Sequence, residues 1–210
     1  MLPPGQTERP EMPRFGLPAY ANRFPRETSH VELAIGGDVA HPQTVTGAFD
    51  ALPHSTQISD FHCVTTWSAI DQQWEGVSFR VFYENLVLPS VVPHEAANYV
   101  NILCQDGYAS CLPLADMLRD NVMLATRHNG EALSVAHGAP IRLVAPAHYG
   151  YKNPKHIAGI DFVQQPVRPK RALDRFLAHP RGRVAREERG VGAPGWILRY
   201  LYRPLIASTE

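Results

Sequence analysis

Two stretches of this 210-residue chain gather residue types that carry chemistry. The first, Asp60-Phe61-His62-Cys63-Val64-Thr65-Thr66-Trp67-Ser68, sets one thiol among polar and aromatic neighbours. A thiolate is a nucleophile and a soft metal ligand, whereas most lone cysteines are small buried hydrophobes. A cysteine-hydrolase reading needs a positioned histidine; His62 is adjacent, but neighbours on a strand face opposite ways, so that reading is poor. The second stretch, His137–Lys155 (HGAPIRLVAPAHYGYKNPK), leads from a strand through a Gly-containing turn to a helix start bearing Lys152 and Lys155. Unpaired amides at a helix start, beside Lys and Arg, make an anion site suited to a phosphate; the alternative is a solvated basic turn. The Walker spacing is absent, which argues against an NTPase. Cys63, Cys104 and Cys111 cannot pair completely, and their offsets of 41 and 7 residues match no zinc spacing.

Strand patterns position these groups. Val31–Ile35 (ended by Gly36-Gly37), Gln43–Val45, Ser55–Cys63, Asn98–Cys104, Ile141–Ala145 and Ile157–Val163 read as strands. Val122–Thr126 and a segment near Leu133 flank Asn129-Gly130 as a hairpin. Phe79–Val87 has helical spacing, Pro113 suits the first position of a short helix through Arg119, and Lys152–His156 reads as a short helical turn. Strands and short helices alternate without a regular βαβ period, which makes the class α+β with mixed β-sheets. Residues 1–29, with six prolines, read as an extended Pro-rich arm; 30–167 form the domain; 168–210 are a basic C-terminal tail. In that tail, Trp196, Ile197, Leu201 and Leu205 are expected to pack inward.

A hydrophobic fraction of 44% excludes a disordered chain, and 20 Lys plus Arg against 20 Asp plus Glu exclude a uniformly basic nucleic-acid binder. The zero is a cancellation: residues 168–210 carry a net +6 and residues 1–167 a net −6. No apolar run approaches the ~18 residues of a membrane span, and neither an export signal nor a twin-Arg pair is visible, so a cytoplasmic protein with no transmembrane segment is expected.

The FHCVTTW stretch, the segment Asp106–Leu114 (DGYASCLPL) and HGAPIRLVAPAHYGYKNPK occur in the order and spacing of one family. Over residues 14–165 the chain resembles the molybdopterin-dependent oxidoreductases of the sulfite oxidase type, above all the branch of bacterial methionine sulfoxide reductase catalytic subunits. The resemblance implies the sulfite oxidase-type molybdopterin-binding fold and a molybdenum-molybdopterin cofactor (Mo-MPT). It makes Cys63 the metal ligand, a role for which a soft, polarizable thiolate is suited. It makes Arg142, Asn153, Pro154 and Lys155 contacts of the pterin and its phosphate, with His137 and His148 beside them. Cys104 is either a cofactor contact or a buried strand thiol. Tyr108 is either a catalytic phenol near the metal or a half-buried turn tyrosine. The implied reaction is two-electron oxo transfer on a small-molecule oxo substrate, with an electron-transfer partner. Sulfite oxidation and a non-catalytic cofactor carrier are the alternatives. The segment Val64–Ser68 contains no arginine, and outside the tail only Arg80, Arg119, Arg127 and Arg142 occur from position 27 onward. A desolvated sulfite dianion demands such donors, so an S- or N-oxide is favoured as the substrate to be reduced.

Overall fold

The computed structural model describes residues 2–168 and 178–206. Strand β4 (Ser55–His62) turns through Cys63–Thr66 into the 12-residue β5 (Trp67–Ser78), the longest strand described. The turn closes through Cys63 N–H to the Trp67 carbonyl at 2.8 Å and Thr66 N–H to the Cys63 carbonyl at 3.2 Å. Strand β5 is the spine of one sheet. Antiparallel to it lie β4 and, at its far end, β8 (Met123–His128); parallel to its start lies β1 (Thr7–Arg9). Beyond β8 come β9 (Glu131–Ala132), across the Asn129-Gly130 turn, and β10 (Arg142–Val144). The second sheet runs β3 (Gln43–Val45), β2 (Leu33–Gly37), β11 (Ile157–Val163), β6 (Tyr99–Cys104), β7 (Ala109–Pro113), with β2 and β11 parallel and the other pairs antiparallel.

Alternation along the first sheet gives it two buried faces. Val77, Leu124 and Leu143 join Ile35, Ile102, Ile160 and Phe162 of the second sheet in the main core. Phe79 and Phe82, on the short helix Phe79–Phe82, complete that core. Trp74, Met123, Ala125 and Val144 face the other way, into a smaller cluster with Phe61, Cys63 and Trp67. The thiol of interest therefore sits on a rigid, doubly covered sheet.

The α+β class holds, with two mixed sheets and short helices. Several boundaries differ. Gly36 and Gly37 close β2 from inside, because Gly37 (φ 85°) packs against Phe162, whose carbonyl oxygen would lie 2.3 Å from an added Cβ. Pro113 ends β7 and caps the helix Leu114–Met117 rather than opening it, since its ψ of 138° is extended. The helix at Phe79 continues as a wider π-type coil over Tyr83–Val91, which accommodates Pro89. The turn expected over Lys152–His156 lies earlier, as a 3-10 turn at Gly150–Lys152. The arm contributes β1 and a short helix, Pro18–Ala21. On the C-terminal helix Gly195–Tyr202 the buried residues are Leu198 and Tyr202. Trp196, Leu201 and Leu205, expected inward, are exposed. The helix docks by the face that carries Leu198 and Tyr202, one turn apart.

Candidate active site

Cys63 stands where β4 passes into β5, buried, with its Sγ 3.0 Å from Thr65 Oγ1. The loop that carries it is held from outside. Gln6 Nε2 donates to the Cys63 carbonyl at 3.2 Å, and Thr7 N–H donates to the Thr66 carbonyl at 2.8 Å. Gln6 also accepts from Ser68 Oγ, which is 2.7 Å from His62 Nδ1. Parallel pairing with β1 thus braces the loop.

Cys63 and Thr65 open on a cavity of about 390 Å³. Lys152, Asn153, Pro154 and Lys155 line the same cavity. Lys155 Nζ donates to the carbonyls of Phe15 (2.6 Å) and Ala136 (3.1 Å), and Lys152 Nζ to that of Cys111 (2.8 Å). No carboxylate among the described residues forms an ion pair with either lysine or with Arg142. Burial therefore acts unopposed by such a pair: it pulls Lys152 down to about 8, and, helped by Arg142 and Arg14, Lys155 down to about 7. Arg142, fully buried among Phe15, Phe61 and Trp74, is pulled to about 9 by desolvation. Asp106, in the same cavity wall, acts on Lys155 without forming an ion pair with it, so this concentration of buried positive charge is poised for an anion.

The sequence-selected residues divide. Cys63, Cys104, Tyr108, Asn153, Pro154 and Lys155 meet on the cavity wall. Burial, then Asp106, pushes the Cys104 thiol well up, so it is a neutral thiol. The Tyr108 hydroxyl donates to the Tyr151 carbonyl at 2.5 Å. Asn153 is a brace: its Oδ1 accepts from Ala145 N–H (2.5 Å) and its Nδ2 donates to the carbonyls of His148 and Tyr149. The amides of Tyr149, Lys152, Asn153 and His156 already donate to carbonyls, so these four are not offered to an anion, whereas Lys152 and Lys155 present ammonium groups. Arg142 and His137 lie behind the wall, the Arg142 Nη1 donating to the His137 carbonyl at 2.9 Å. Burial, then Arg142 and Lys155, lowers His137 to about 4, which keeps it neutral. His148 is turned away from the cavity, its Nδ1 2.6 Å from the Arg181 carbonyl and its Nε2 3.9 Å from Asp116. Trp67 packs against Phe15 and Phe61 instead of facing the cavity.

Sequence reasoning missed three contributions. Ser110 and Cys111 sit in the cavity wall on β7, a strand with too few large residues to show a pattern. Arg14, Arg23 and Tyr20 reach the cavity from the arm, whose prolines concealed its long-range packing. Arg189 arrives from the C-terminal segment to donate to the Val64 carbonyl at 2.6 Å.

Comparison with known proteins gives the family and the fold. Residues 21–170 match the family described as the oxidoreductase molybdopterin binding domain. The uncharacterized oxidoreductase YuiH of Bacillus subtilis is 33% identical over 168 residues, covering 78% of this chain and 80% of its own. The protein-methionine-sulfoxide reductase catalytic subunit MsrP of Campylobacter jejuni is 28% identical over 185 residues, 80% of this chain and 60% of that relative. Among solved structures, the sulfane dehydrogenase SoxCD from Paracoccus pantotrophus superposes with a TM-score of 0.59 at 22% identity, over 72% of this chain and 43% of that one. That likeness is one of fold.

Proposed function

The chain belongs to the molybdopterin-binding oxidoreductase family, and on that premise we propose that it reduces an S- or N-oxide by two-electron oxo transfer, with Cys63 as the protein ligand to molybdenum. The observation that carries this is one cavity with a buried thiol on one wall and unpaired buried ammonium groups on another. The residues present fit the cofactor. A pterin dithiolene with a terminal phosphate needs a soft anchor at its metal, an anion site at its phosphate, and polar partners between. Ser110 Oγ, on the cavity wall, is buried without a hydrogen-bond partner among the described residues. It costs about 1–3 kcal/mol until a ligand meets it.

The bound metal supplies the two-electron oxo-transfer chemistry; the protein supplies binding, orientation and electrostatics. Cys63 donates its thiolate, and Thr65 Oγ1 is placed to donate a hydrogen bond to that sulfur. Lys155 and Lys152 hold the phosphate as ammonium ions, Arg142 supports them from behind, and Asn153 fixes the turn that presents them. Tyr108 lines the cavity, and rotation of its hydroxyl away from Tyr151 turns an O–H toward a substrate oxygen.

An oxide is favoured over sulfite because Val64–Ser68 carries no arginine, and the Arg189 guanidinium that reaches this loop is taken up by the Val64 and Pro4 carbonyls. Arg14, Arg23 and Arg168 do reach the cavity; Arg14 and Arg23 stack on aromatic rings, Phe24 and Tyr20 respectively. The relative named a methionine-sulfoxide reductase supports the same direction. Reduction requires an electron-transfer partner. Among the described residues no helix is long and apolar enough to cross a membrane. Three cysteines without a disulfide suit the cytoplasm. Residues 30–167 are then the catalytic domain, with residues 2–29 and 178–206 packed upon it.

Elemental analysis of purified protein, with a panel of sulfoxides, N-oxides and sulfite assayed against dye donors and acceptors, tests the reading. About one molybdenum per chain and oxide reduction are expected. Cys63→Ser is expected to abolish turnover and metal content while leaving the circular dichroism unchanged. Fast sulfite oxidation without oxide reduction overturns the direction; a wild-type protein that carries no molybdenum overturns the cofactor assignment.

A further inference from the structure

Arg189 lies far from the sequence motifs, yet it is fully buried and touches three parts of the candidate site. Its Nη1 donates to the Val64 carbonyl (2.6 Å), one residue past Cys63. Its Nη2 donates to the Pro4 carbonyl (3.2 Å), ahead of the β1 strand that braces the same loop. Its guanidinium lies 5.0 Å from the centre of the Tyr149 ring, and Tyr149 opens the turn that carries Lys152, Asn153 and Lys155. The C-terminal segment is built around this placement. Glu187 Oε1 is 3.6 Å from Arg189, while Glu187 Oε2 pairs with Arg199 of the C-terminal helix at 2.9 Å. Gly195 allows the helix to approach so closely that an added Cβ would lie 2.0 Å from the Glu187 carbonyl oxygen. The Tyr149 amide donates to the Gly182 carbonyl, and the Val184 amide to that of Ala147.

We propose that Arg189 is a positioning residue that locks the Cys63 loop to the phosphate-binding turn, so that the C-terminal segment sets the spacing between the two ends of the cofactor site. A guanidinium suits this role because its planar fork serves two carbonyls while its face stacks on a ring; a lysine offers a single point charge. The proposal rests on the cofactor assignment above. It makes residues 178–206 part of the binding machinery instead of a free basic extension.

The test follows molybdenum release from holoenzyme. Wild type, Arg189→Met, Arg189→Lys and Leu198→Ala are incubated and gel-filtered at intervals, and retained molybdenum per chain is measured alongside thermal midpoints. Leu198, buried on the same C-terminal helix, has an apolar side chain that makes no hydrogen bond to the Cys63 loop, and it controls for general loosening. Arg189→Met is expected to lose molybdenum about tenfold faster than wild type, equivalent to ~1.4 kcal/mol, and Arg189→Lys at an intermediate rate. Leu198→Ala is expected to release metal no faster than its lowered midpoint accounts for. Should Arg189→Met fail to accumulate, Arg189→Lys carries the comparison. Release at the wild-type rate from the Arg189 variants, or at the Leu198→Ala rate for an equal fall in midpoint, overturns the proposal. A wild-type protein without molybdenum fails the cofactor assignment instead, which keeps the two failures distinct.

Discussion

Lys155 illustrates what a binding site costs its own protein. Among the described residues its ammonium meets two carbonyls and the face of Phe15, and burial brings its pKa from 10.5 to about 7. Below pH 7 both the folded and unfolded forms bind this proton, and the folded chain bears the whole penalty of burying it. Between about pH 7 and the unfolded value near 10.5 the unfolded chain binds more protons, so this residue makes stability rise with pH. Cofactor-free protein is therefore expected to gain thermal stability from pH 7 to 10 relative to Lys155→Met, in which this contribution is absent. Parallel midpoint curves for the two proteins would remove the buried charge from the account. An arriving phosphate reverses the penalty, because it stabilises the protonated form. His137 behaves differently: burial, then Arg142 and Lys155, holds it at about 4, so it is neutral behind the cavity wall.

At the level of elements, legibility followed how local the determining interactions are. Gln43–Val45, Asn98–Cys104 and Ile157–Val163 were readable because β-branched and aromatic runs end in turn residues. Strand β5 was not, because its inward positions include Ser68 and Gln72. Those side chains are buried to hydrogen-bond with Gln6 and His128, which breaks the apolar alternation. Strand β1 pairs with residues about sixty positions away, a relation no local pattern contains. For the site, the motif residues around Cys63 and Lys155 were legible, whereas Ser110, Arg14 and Arg189 enter through tertiary packing alone. The C-terminal helix shows the same limit: its pattern fits more than one inward face, and docking selects the one with Leu198 and Tyr202. Leu198→Ala is accordingly expected to cost about 2–4 kcal/mol in urea unfolding. Trp196→Ser, on the exposed side, is expected to change stability by no more than about 0.5 kcal/mol. The reverse order would mean that the helix docks by its other face.

Across the whole molecule, the opposed charges of core and tail meet at Asp116, while Arg183 and Arg199 pair within the tail. Arg181 takes the buried Asp116 of the core in a two-pronged pair, with Arg119 and His148 at 3.6 and 3.9 Å from the same carboxylate. Arg183 pairs with Glu188, and Arg199 with Glu187. These three arginines are thus engaged inside the molecule. Asp116 is the core's side of the attachment, and its loss must register in the tail before it registers in the sheets. Asp116→Asn keeps the shape but removes the charge that faces Arg181. Because Arg181 is partly exposed, the expected cost is about 1–3 kcal/mol rather than the full penalty of a buried orphan charge. Hydrogen exchange locates that cost. The amides of Tyr149 and Val184, which bond across the junction to Gly182 and Ala147, should exchange faster in the variant. Amides of β6 and β11, deep in the second sheet, should keep their wild-type protection. If the sheets lose protection together with Tyr149 and Val184, Asp116 supports the fold as a whole, and the C-terminal segment is not a separately releasable clamp.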